Sequence, residues 1–304
     1  MRNLSSILFL IALAACSSHQ KKDSDSAYSE VDKITNEDFK KAPAVNKSQV
    51  KDYFQNNQTK LENPVLKDET LARLSDKEIN EFEDDKDPLV TMAYLCTKGK
   101  FKEAYAVAEK SFDRYQKIPS YWNQLGICNM DQKHYRKSLL YFNKALEAEK
   151  NYVPTLNNFG VMYSRQGQYQ KAVVAFEKAS EVGKFSKTPR YNLARLYLKF
   201  GLAQKALPIL QSLANNSQFD VGITNSIGTA YLIQGNYQGA WKYFQQIPKN
   251  YWERADVGVN IAYAVYASGN AKSAHEIFND IKKPKDAELK QYYELMAQKI
   301  GVKL

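Results

Sequence analysis

The sequence predicts an all-α fold, a superhelical solenoid of six helical hairpins that ends in a C-terminal capping helix. The first observation is a turn residue that recurs every 34 residues without insertion, at Gly99, Lys133, Gly167, Gly201, Gly235 and Gly269. The second is a small residue seven positions before each of the last five turns, and the third is a bulky residue nine positions after them. These offsets fit two antiparallel helices that approach closely where the side chains are small.

The six repeats are predicted to fill residues 85 to 288, each with a first helix, a turn and a second helix. They begin at Asp85, Pro119, Val153, Lys187, Val221 and Ala255. The first repeat is degenerate, with Thr91 and Met92 in place of a bulky and a small residue, as expected of a terminal repeat. Residues 287 to 304 are predicted to form the cap, because an apolar stripe on a helix from Ala287 to Ile300 would cover the last hairpin. The stripe consists of Leu289, Tyr292, Leu295, Met296 and Ile300.

These columns resemble the tetratricopeptide repeat. The resemblance is clearest in Trp122-Asn123-Gln124-Leu125-Gly126 and in Phe159-Gly160 with Tyr163, Gly167, Tyr169, Ala172, Phe176 and Ala179. It departs from that family in two respects: the proline that commonly closes each repeat is missing, and the first repeat is degenerate. The resemblance implies a non-enzymatic array for protein–protein interaction, in which the first helices line a concave groove.

Residues 1 to 15 have the pattern of a signal peptide: a positive start, an apolar run too short to span a bilayer, and small residues before a cysteine. The ending Leu13-Ala14-Ala15-Cys16 resembles the bacterial lipobox, which implies cleavage before Cys16 and attachment of acyl chains such as palmitate to it. Ordinary secretory cleavage is the alternative. Because Ser17 is not the aspartate that retains Gram-negative lipoproteins at the inner membrane, the resemblance implies the periplasmic face of the outer membrane.

Between the lipid site and the repeats the sequence predicts a flexible connection. Residues 16 to 47 are rich in Ser, Asp, Lys and Asn and cannot bury enough apolar surface to offset the entropy of ordering. Residues 48 to 84 carry weak helical signals, including a capping box at Ser75 and Glu78. We expect a lipidated tether followed by a weakly helical segment that packs on the first repeat.

Charge is divided between these regions. Residues 17 to 85 carry 11 Lys/Arg and 16 Asp/Glu, net −5, whereas residues 86 to 304 carry 31 and 17, net +14. Export argues against a nucleic-acid partner, and the basic array instead favours acidic protein faces or anionic envelope polymers. The acidic run Glu81 to Asp85 is interpreted as solvated, with folding back onto the basic array as the alternative.

The sequence offers no site for chemistry. His19, His134 and His275 have no cysteine or carboxylate at metal-ligand spacing, and the glycines belong to hairpin turns rather than to a phosphate loop. We therefore predict no enzymatic activity, no metal and no cofactor. Cys96 and Cys128 lie in the first helices of adjacent repeats, and we interpret them as unpaired packing residues, with a disulfide as the alternative.

The candidate binding site follows from the resemblance, because positions 5, 6, 9, 12 and 13 of each repeat face the groove in that family. We call these the groove positions. They hold Asn123, Asn157, Tyr191 and Asn225; then Gln124, Asn158, Asn192, Ser226 and Asn260; and then Arg195, Tyr263, Met130, Tyr266, Arg165 and Lys199. Amides at successive repeats could hold an extended peptide by its backbone, and some members of the family use such an asparagine ladder. Surface amides that bond water or neighbouring carbonyls are the alternative.

The basic groove residues Arg165, Arg195 and Lys199 would favour a ligand with acidic side chains. The lysines that the carboxylate-clamp members of the family use are absent from their columns. A lipobox followed by six repeats resembles the pilotins of type IV pilus machines, which implies a scaffold that assists secretin assembly. An adaptor for peptidoglycan hydrolases or outer-membrane assembly is one alternative, and a polysaccharide export or binding factor is another.

Overall fold

The structure, a computed structural model, describes residues 83–215, 219–285 and 287–304, and within these ranges it contains α-helices and no strand. The predicted signal peptide, Cys16, the tether and the weak helical signals before residue 83 lie outside the described residues. The thirteen described α-helices are α1 Pro88–Thr97, α2 Phe101–Tyr115, α3 Pro119–Asp131, α4 Tyr135–Ala148, α5 Val153–Arg165, α6 Tyr169–Val182, α7 Lys187–Lys199, α8 Ala203–Asn215, α9 Val221–Ile233, α10 Tyr237–Phe244, α11 Ala255–Ala267, α12 Ala271–Asn279 and α13 Ala287–Ile300. The predicted all-α fold of successive helical hairpins is confirmed.

The described chain forms two compact units, residues 83–192 and residues 193–304, and the division falls inside α7. In each unit a first helix and the second helix that follows it pack as an antiparallel pair. Among the described residues, no helix combines the length and apolar character needed to cross a bilayer.

The recurrent turn residues share one backbone conformation. Gly99, Gly167, Gly201, Gly235 and Gly269 have φ between 71° and 93°, the left-handed region that L side chains disfavour. Lys133 occupies the same place in the second repeat with φ 62°. The hairpin therefore imposes a left-handed turn even where the sequence has no glycine.

Lys133→Gly is therefore expected to stabilise the protein by about 0.5–1 kcal/mol, because glycine adopts this conformation without a steric penalty. Thermal unfolding followed by circular dichroism measures the change. Lys137→Gly is the matched control, since Lys137 is an exposed lysine inside α4 where glycine weakens a helix. An unchanged or lower melting temperature for Lys133→Gly would contradict the prediction.

The two helices of a hairpin meet where a small residue faces a large one. A Cβ added to Gly126, Gly160 or Gly228 would overlap the phenyl ring of a residue sixteen positions later in the sequence. These rings belong to Phe142, Phe176 and Phe244, and each is fully buried. The pairing of a small with a large residue is thus the contact that closes these three hairpins.

The second helices of the fifth and sixth repeats are shorter than the sequence period suggests. Helix α10 has 8 residues and α12 has 9, whereas α2, α4, α6 and α8 have 13 to 15. Pro248 and Pro284 follow the two short helices, and proline cannot donate the hydrogen bond that helix continuation requires. Ile247 and Ile281, 34 residues apart, leave the helix and still bury their side chains.

The C-terminal helix α13 covers the apolar face of the last hairpin. Its stripe residues Leu289, Tyr292, Leu295, Met296 and Ile300 all pack in one cluster with Ala255, Val259, Ala262 and Phe278. Tyr293 and Ala297, which the stripe did not include, are buried in the same cluster. The ring of Tyr293 stacks on Phe278 with centroids 4.6 Å apart.

The start of the described chain is exposed and acidic. Glu83, Asp84 and Asp85 are all exposed, and the Glu83 side chain is hydrogen-bonded to that of Tyr94 on α1. The carboxylate of Asp87 caps α1 by accepting a hydrogen bond from the Leu89 amide at 2.8 Å. Glu81 and Phe82, at the start of the run, lie outside the described residues.

The interpretation of Cys96 and Cys128 as unpaired residues is wrong. Their Cα atoms lie 5.3 Å apart and their sulfurs form a disulfide between α1 and α3. Adjacent first helices run side by side, so residues about one repeat apart in sequence face each other at this contact. Both cysteines are buried in the cluster that joins the first repeat to the second.

Candidate functional site

The polar residues at the groove positions are mostly buried, and the expectation that they face outward is wrong for these. Asn123, Asn157, Asn158 and Asn192 are 0% exposed and Gln124 is 1% exposed. Asn260, Ser226 and Met130 are also buried. Tyr191, Asn225, Arg165, Arg195 and Tyr263 are half-buried, while Lys199 and Tyr266 are exposed.

The asparagines of the first unit bond to one another across three successive first helices. The amide of Asn192 on α7 donates to Oδ1 of Asn157 on α5 at 2.9 Å, and Asn157 donates to Oδ1 of its neighbour Asn158 at 3.2 Å. Asn158 in turn donates to Oδ1 of Asn123 on α3 at 3.0 Å. We call these four side chains the amide relay. Because buried amides need partners, the relay fixes the register in which the first helices stack.

The second unit repeats the same contact once. Asn260 on α11 donates to Oδ1 of Asn225 on α9 at 3.1 Å, across the 35 residues that also separate Asn158 from Asn123. Tyr292 on α13 then donates its hydroxyl to Oδ1 of Asn260 at 2.7 Å. Burial raises the pKa of the Tyr292 phenol, so this hydroxyl keeps its proton and remains a donor.

Sequence reasoning missed two partners of these amides, Thr155 and Tyr292. Thr155 is fully buried and donates to the same Oδ1 of Asn123 at 2.9 Å. The signal that could have found both is position, because each polar side chain stands about one repeat away from an amide at a groove position. Within the described part of the chain, Nδ2 of Asn123 is buried without a hydrogen-bond partner. The hydrogen bonds account for the amide column by helix packing, and a role in holding a peptide stays a prediction.

Of the basic groove residues, Arg165 forms an ion pair within the protein. Its Nη1 lies 2.7 Å from Oδ1 of Asp131, which occupies the same groove position one repeat earlier, and both side chains are about one-fifth exposed. This ion pair is a second link between α3 and α5. Arg165 is therefore a weaker candidate for an acidic ligand than the sequence suggested.

Two groove residues of the last repeat, Tyr263 and Tyr266, lie in a group with Tyr237 of α10 and Lys299 of α13. Tyr263 and Tyr266 are one helical turn apart on α11, and Nζ of Lys299 on α13 lies 5.3 Å from the centre of the Tyr263 ring. The hydroxyl of Tyr263 is hydrogen-bonded to that of Tyr237. Burial, followed by the neighbouring phenols of Tyr237 and Tyr266, raises the pKa of Tyr263 to about 12. Sequence reasoning named Tyr263 and Tyr266 but missed Lys299, because the last helix was treated only as a cap.

The described residues contain no group of three or more His, Cys, Asp or Glu side chains that could hold a metal ion. His275 on α12 has its Nε2 within hydrogen-bond distance of the carbonyl oxygen of Ile300, so this histidine fastens the last turn of α13. His134 precedes α4, and His275 contacts the end of α13 from the middle of α12.

Comparison with known families identifies the repeated unit. Models of the tetratricopeptide repeat match residues 119–152, 141–174 and 191–255. The chain contains tetratricopeptide repeats. The six turns at 34-residue spacing, the glycine–phenylalanine contacts and the helical hairpins are the repeat's own features, and tetratricopeptide repeats are protein-interaction scaffolds.

Several solved structures have the same repeat fold. The Pseudomonas aeruginosa pilF structure has a TM-score of 0.56 and 15% identity, over 72% of this chain and 99% of that one. PilW, described as a widely conserved type IV pilus biogenesis factor, has a TM-score of 0.54 and 18% identity. The match covers 71% of this chain and 99% of PilW. A chain of the APC/C Cut9–Hcn1 hetero-tetramer has a TM-score of 0.57 and 19% identity. The match covers 74% of this protein and 45% of the hetero-tetramer chain.

At these identities the likeness to solved structures establishes the repeat fold alone. No curated protein sequence matches the chain significantly. The coarse function, a tetratricopeptide scaffold for protein interaction, therefore comes from the family matches and the described hairpins.

Proposed function

We propose that this protein is a lipid-anchored scaffold on the periplasmic face of the outer membrane that assists the assembly of a type IV pilus secretin. The single observation that carries the proposal is the combination of a lipobox-like Leu13-Ala14-Ala15-Cys16 with the tetratricopeptide array. The lipid holds the protein at the membrane where a secretin assembles, and the repeats supply the surface that binds the partner.

The disulfide between Cys96 and Cys128 supports export. Disulfides form and persist in oxidising compartments such as the periplasm and are rare where glutathione and thioredoxin keep thiols reduced. A bridge that closes the contact between the first two repeats therefore suits a protein that folds after crossing the inner membrane.

The two pilus-related structures support the choice of partner by analogy. PilW is described as a type IV pilus biogenesis factor, and this chain covers 99% of its length. The pilF structure is covered to the same extent. The shared fold makes a secretin subunit the first partner to test, ahead of a peptidoglycan hydrolase or a polysaccharide channel.

Deleting the gene for this protein is expected to remove heat-stable secretin multimers from the outer membrane while secretin monomers remain. Quantitative immunoblotting of fractionated envelopes measures both species. The matched control restores the wild-type chain from a plasmid. Unchanged multimers, or a defect confined to murein turnover or polysaccharide export, would contradict the pilus role.

The anchor gives a separate prediction, that Cys16→Ala abolishes acylation because no thiol remains to accept the lipid. Metabolic labelling with an alkyne analogue of palmitate, followed by membrane fractionation, measures the loss. Ser17→Asp is the matched control: it should keep the label and shift the protein to the inner membrane. Label retained on Cys16→Ala would contradict the lipoprotein assignment.

A further inference from the structure

Tyr263, a groove residue of the last repeat, has the ammonium group of Lys299 over its ring and the phenols of Tyr237 and Tyr266 near it. Tyr237 comes from α10, Tyr263 and Tyr266 from α11, and Lys299 from α13. Lys299 and Tyr263 are in cation–π contact at 5.3 Å, and Tyr263 is hydrogen-bonded to Tyr237. Tyr266 is 37% exposed, so the group is open to solvent on one side. We call these four residues the tyrosine–lysine site.

The ammonium group in this site has no carboxylate partner among the described residues. The other lysines of the same unit that form ion pairs, Lys282 and Lys290, pair with Glu253 and Glu294. Lys299 is half-buried, and burial lowers its pKa because removal of water disfavours the charged form. The cation–π contact with Tyr263 offsets part of this cost.

We propose that the tyrosine–lysine site binds a carboxylate side chain of an acidic segment of a partner protein. The inference rests on the proposed function, because it takes the ligand of the site to be part of a protein partner of the scaffold. An arriving carboxylate would supply the missing counter-charge of Lys299 in a partly desolvated setting, where an ion pair is stronger than in water. The tyrosine rings offer flat apolar surface to the methylenes of glutamate.

The chemistry of the site favours a carboxylate over a phosphate group. Phosphate sites in proteins are typically built from arginine forks or from backbone amides at a helix N-terminus. None of the four residues of the site is an arginine, and only Tyr237 begins a helix. The Tyr237 hydroxyl is hydrogen-bonded to that of Tyr263. One lysine with phenol donors matches the single charge of an Asp or Glu side chain.

A labelled peptide tests the site directly. The probe is a fluorescein-labelled twelve-residue peptide of alternating serine and glutamate, and its partner probe has glutamine in place of glutamate. Fluorescence anisotropy with the full-length protein in detergent is expected to show tighter binding of the glutamate peptide. Lys299→Met should reduce that affinity at least fivefold and leave the glutamine peptide unaffected. Lys303→Met is the matched control, since Lys303 is exposed four residues away, and it should change affinity less than twofold.

Nuclear magnetic resonance of the lysine Nζ groups gives a second readout that a folding defect cannot imitate. Addition of the glutamate peptide is expected to raise the pKa of Lys299 and to leave the Nζ chemical shift of Lys303 unchanged. Equal affinity of wild type and Lys299→Met for the glutamate peptide, or an equal effect of Lys303→Met, would overturn the proposal. So would a pKa of Lys299 that does not respond to the peptide.

The outcomes separate this site from the proposed function. If Lys299→Met leaves peptide binding unchanged while secretin multimers still depend on the protein, the site is refuted and the pilus role stands. If the peptide discriminates as expected while secretin multimers form without the protein, the site stands and the pilus role is refuted.

Discussion

Replacing Cys96 and Cys128 together by serine is expected to destabilise the first hairpin by about 3–4 kcal/mol. The disulfide closes a loop across a sequence separation of 32 residues, and loop closure of this length removes that much entropy from the unfolded chain. The first repeat depends on this link because it lacks the glycine–phenylalanine contact of the second, third and fifth repeats. In repeat proteins each unit is held by its neighbours, so the loss should stay local.

Hydrogen–deuterium exchange followed by mass spectrometry measures the effect. Peptides from α1 and α2 are expected to exchange much faster in the double serine variant, while peptides from α9 and α11 serve as internal reference. Dithiothreitol should reproduce the effect in the wild type and add nothing to the variant. Equal exchange of α1 and α2 in oxidised wild type and variant would show that the disulfide does not hold the first repeat.

Asn158→Leu is expected to destabilise the protein by about 1–3 kcal/mol, the cost of a buried polar group that loses its partner. The substitution removes the acceptor for the Asn157 amide and one of the two donors to Oδ1 of Asn123, which Thr155 still serves. Urea unfolding followed by circular dichroism measures the change. Asn279→Ala is the matched control, since Asn279 is an exposed asparagine at the end of α12, and it should lie within about 0.5 kcal/mol of wild type.

A double-mutant cycle makes the test specific to the amide relay. Asn123→Leu removes the acceptor for Asn158 and also removes the unpartnered Nδ2. The double variant Asn123→Leu/Asn158→Leu should therefore be less destabilised than the sum of the two single changes. Strict additivity would mean that these two side chains do not stabilise each other.

The hairpins could be predicted from the sequence because their causes are local. The turn residues require a left-handed backbone, and even Lys133, which is not glycine, was placed correctly by the interval alone. The contact between Gly160 and Phe176 could be predicted for the same reason, since both residues lie in one hairpin at a fixed offset. The start of α5 at Val153 follows from the repeat length.

The amides and cysteines could not be placed from the sequence, because their partners lie on another repeat. Whether Asn158 faces solvent or Asn123 depends on how closely adjacent first helices stack, which the repeat interval does not specify. The same stacking decides whether Cys96 reaches Cys128. The family resemblance assigned the amides to an outward face, and the buried hydrogen bonds show that position within a repeat does not determine exposure.

The tyrosine–lysine site shows a related limit. Tyr263 was predicted from its groove position, but Lys299 belongs to the capping helix, where the 34-residue register no longer applies. A local signal for the shortened helices α10 and α12 was present in the sequence. Pro248 and Pro284 lie at repeat positions that belong to the last turn of the longer second helices α2, α4 and α6, and proline does not continue a helix there.

The central claim is that the groove positions of this array hold an outer-membrane partner, and photo-crosslinking in living cells tests it most directly. Benzoylphenylalanine is placed at Tyr266, an exposed groove position, and at Leu140, which is 54% exposed on the second helix α4. The account predicts that the Tyr266 position crosslinks to a secretin subunit and that the Leu140 position does not. Capture of a murein hydrolase or an exopolysaccharide channel at Tyr266, or equal capture of the secretin at Leu140, would contradict it.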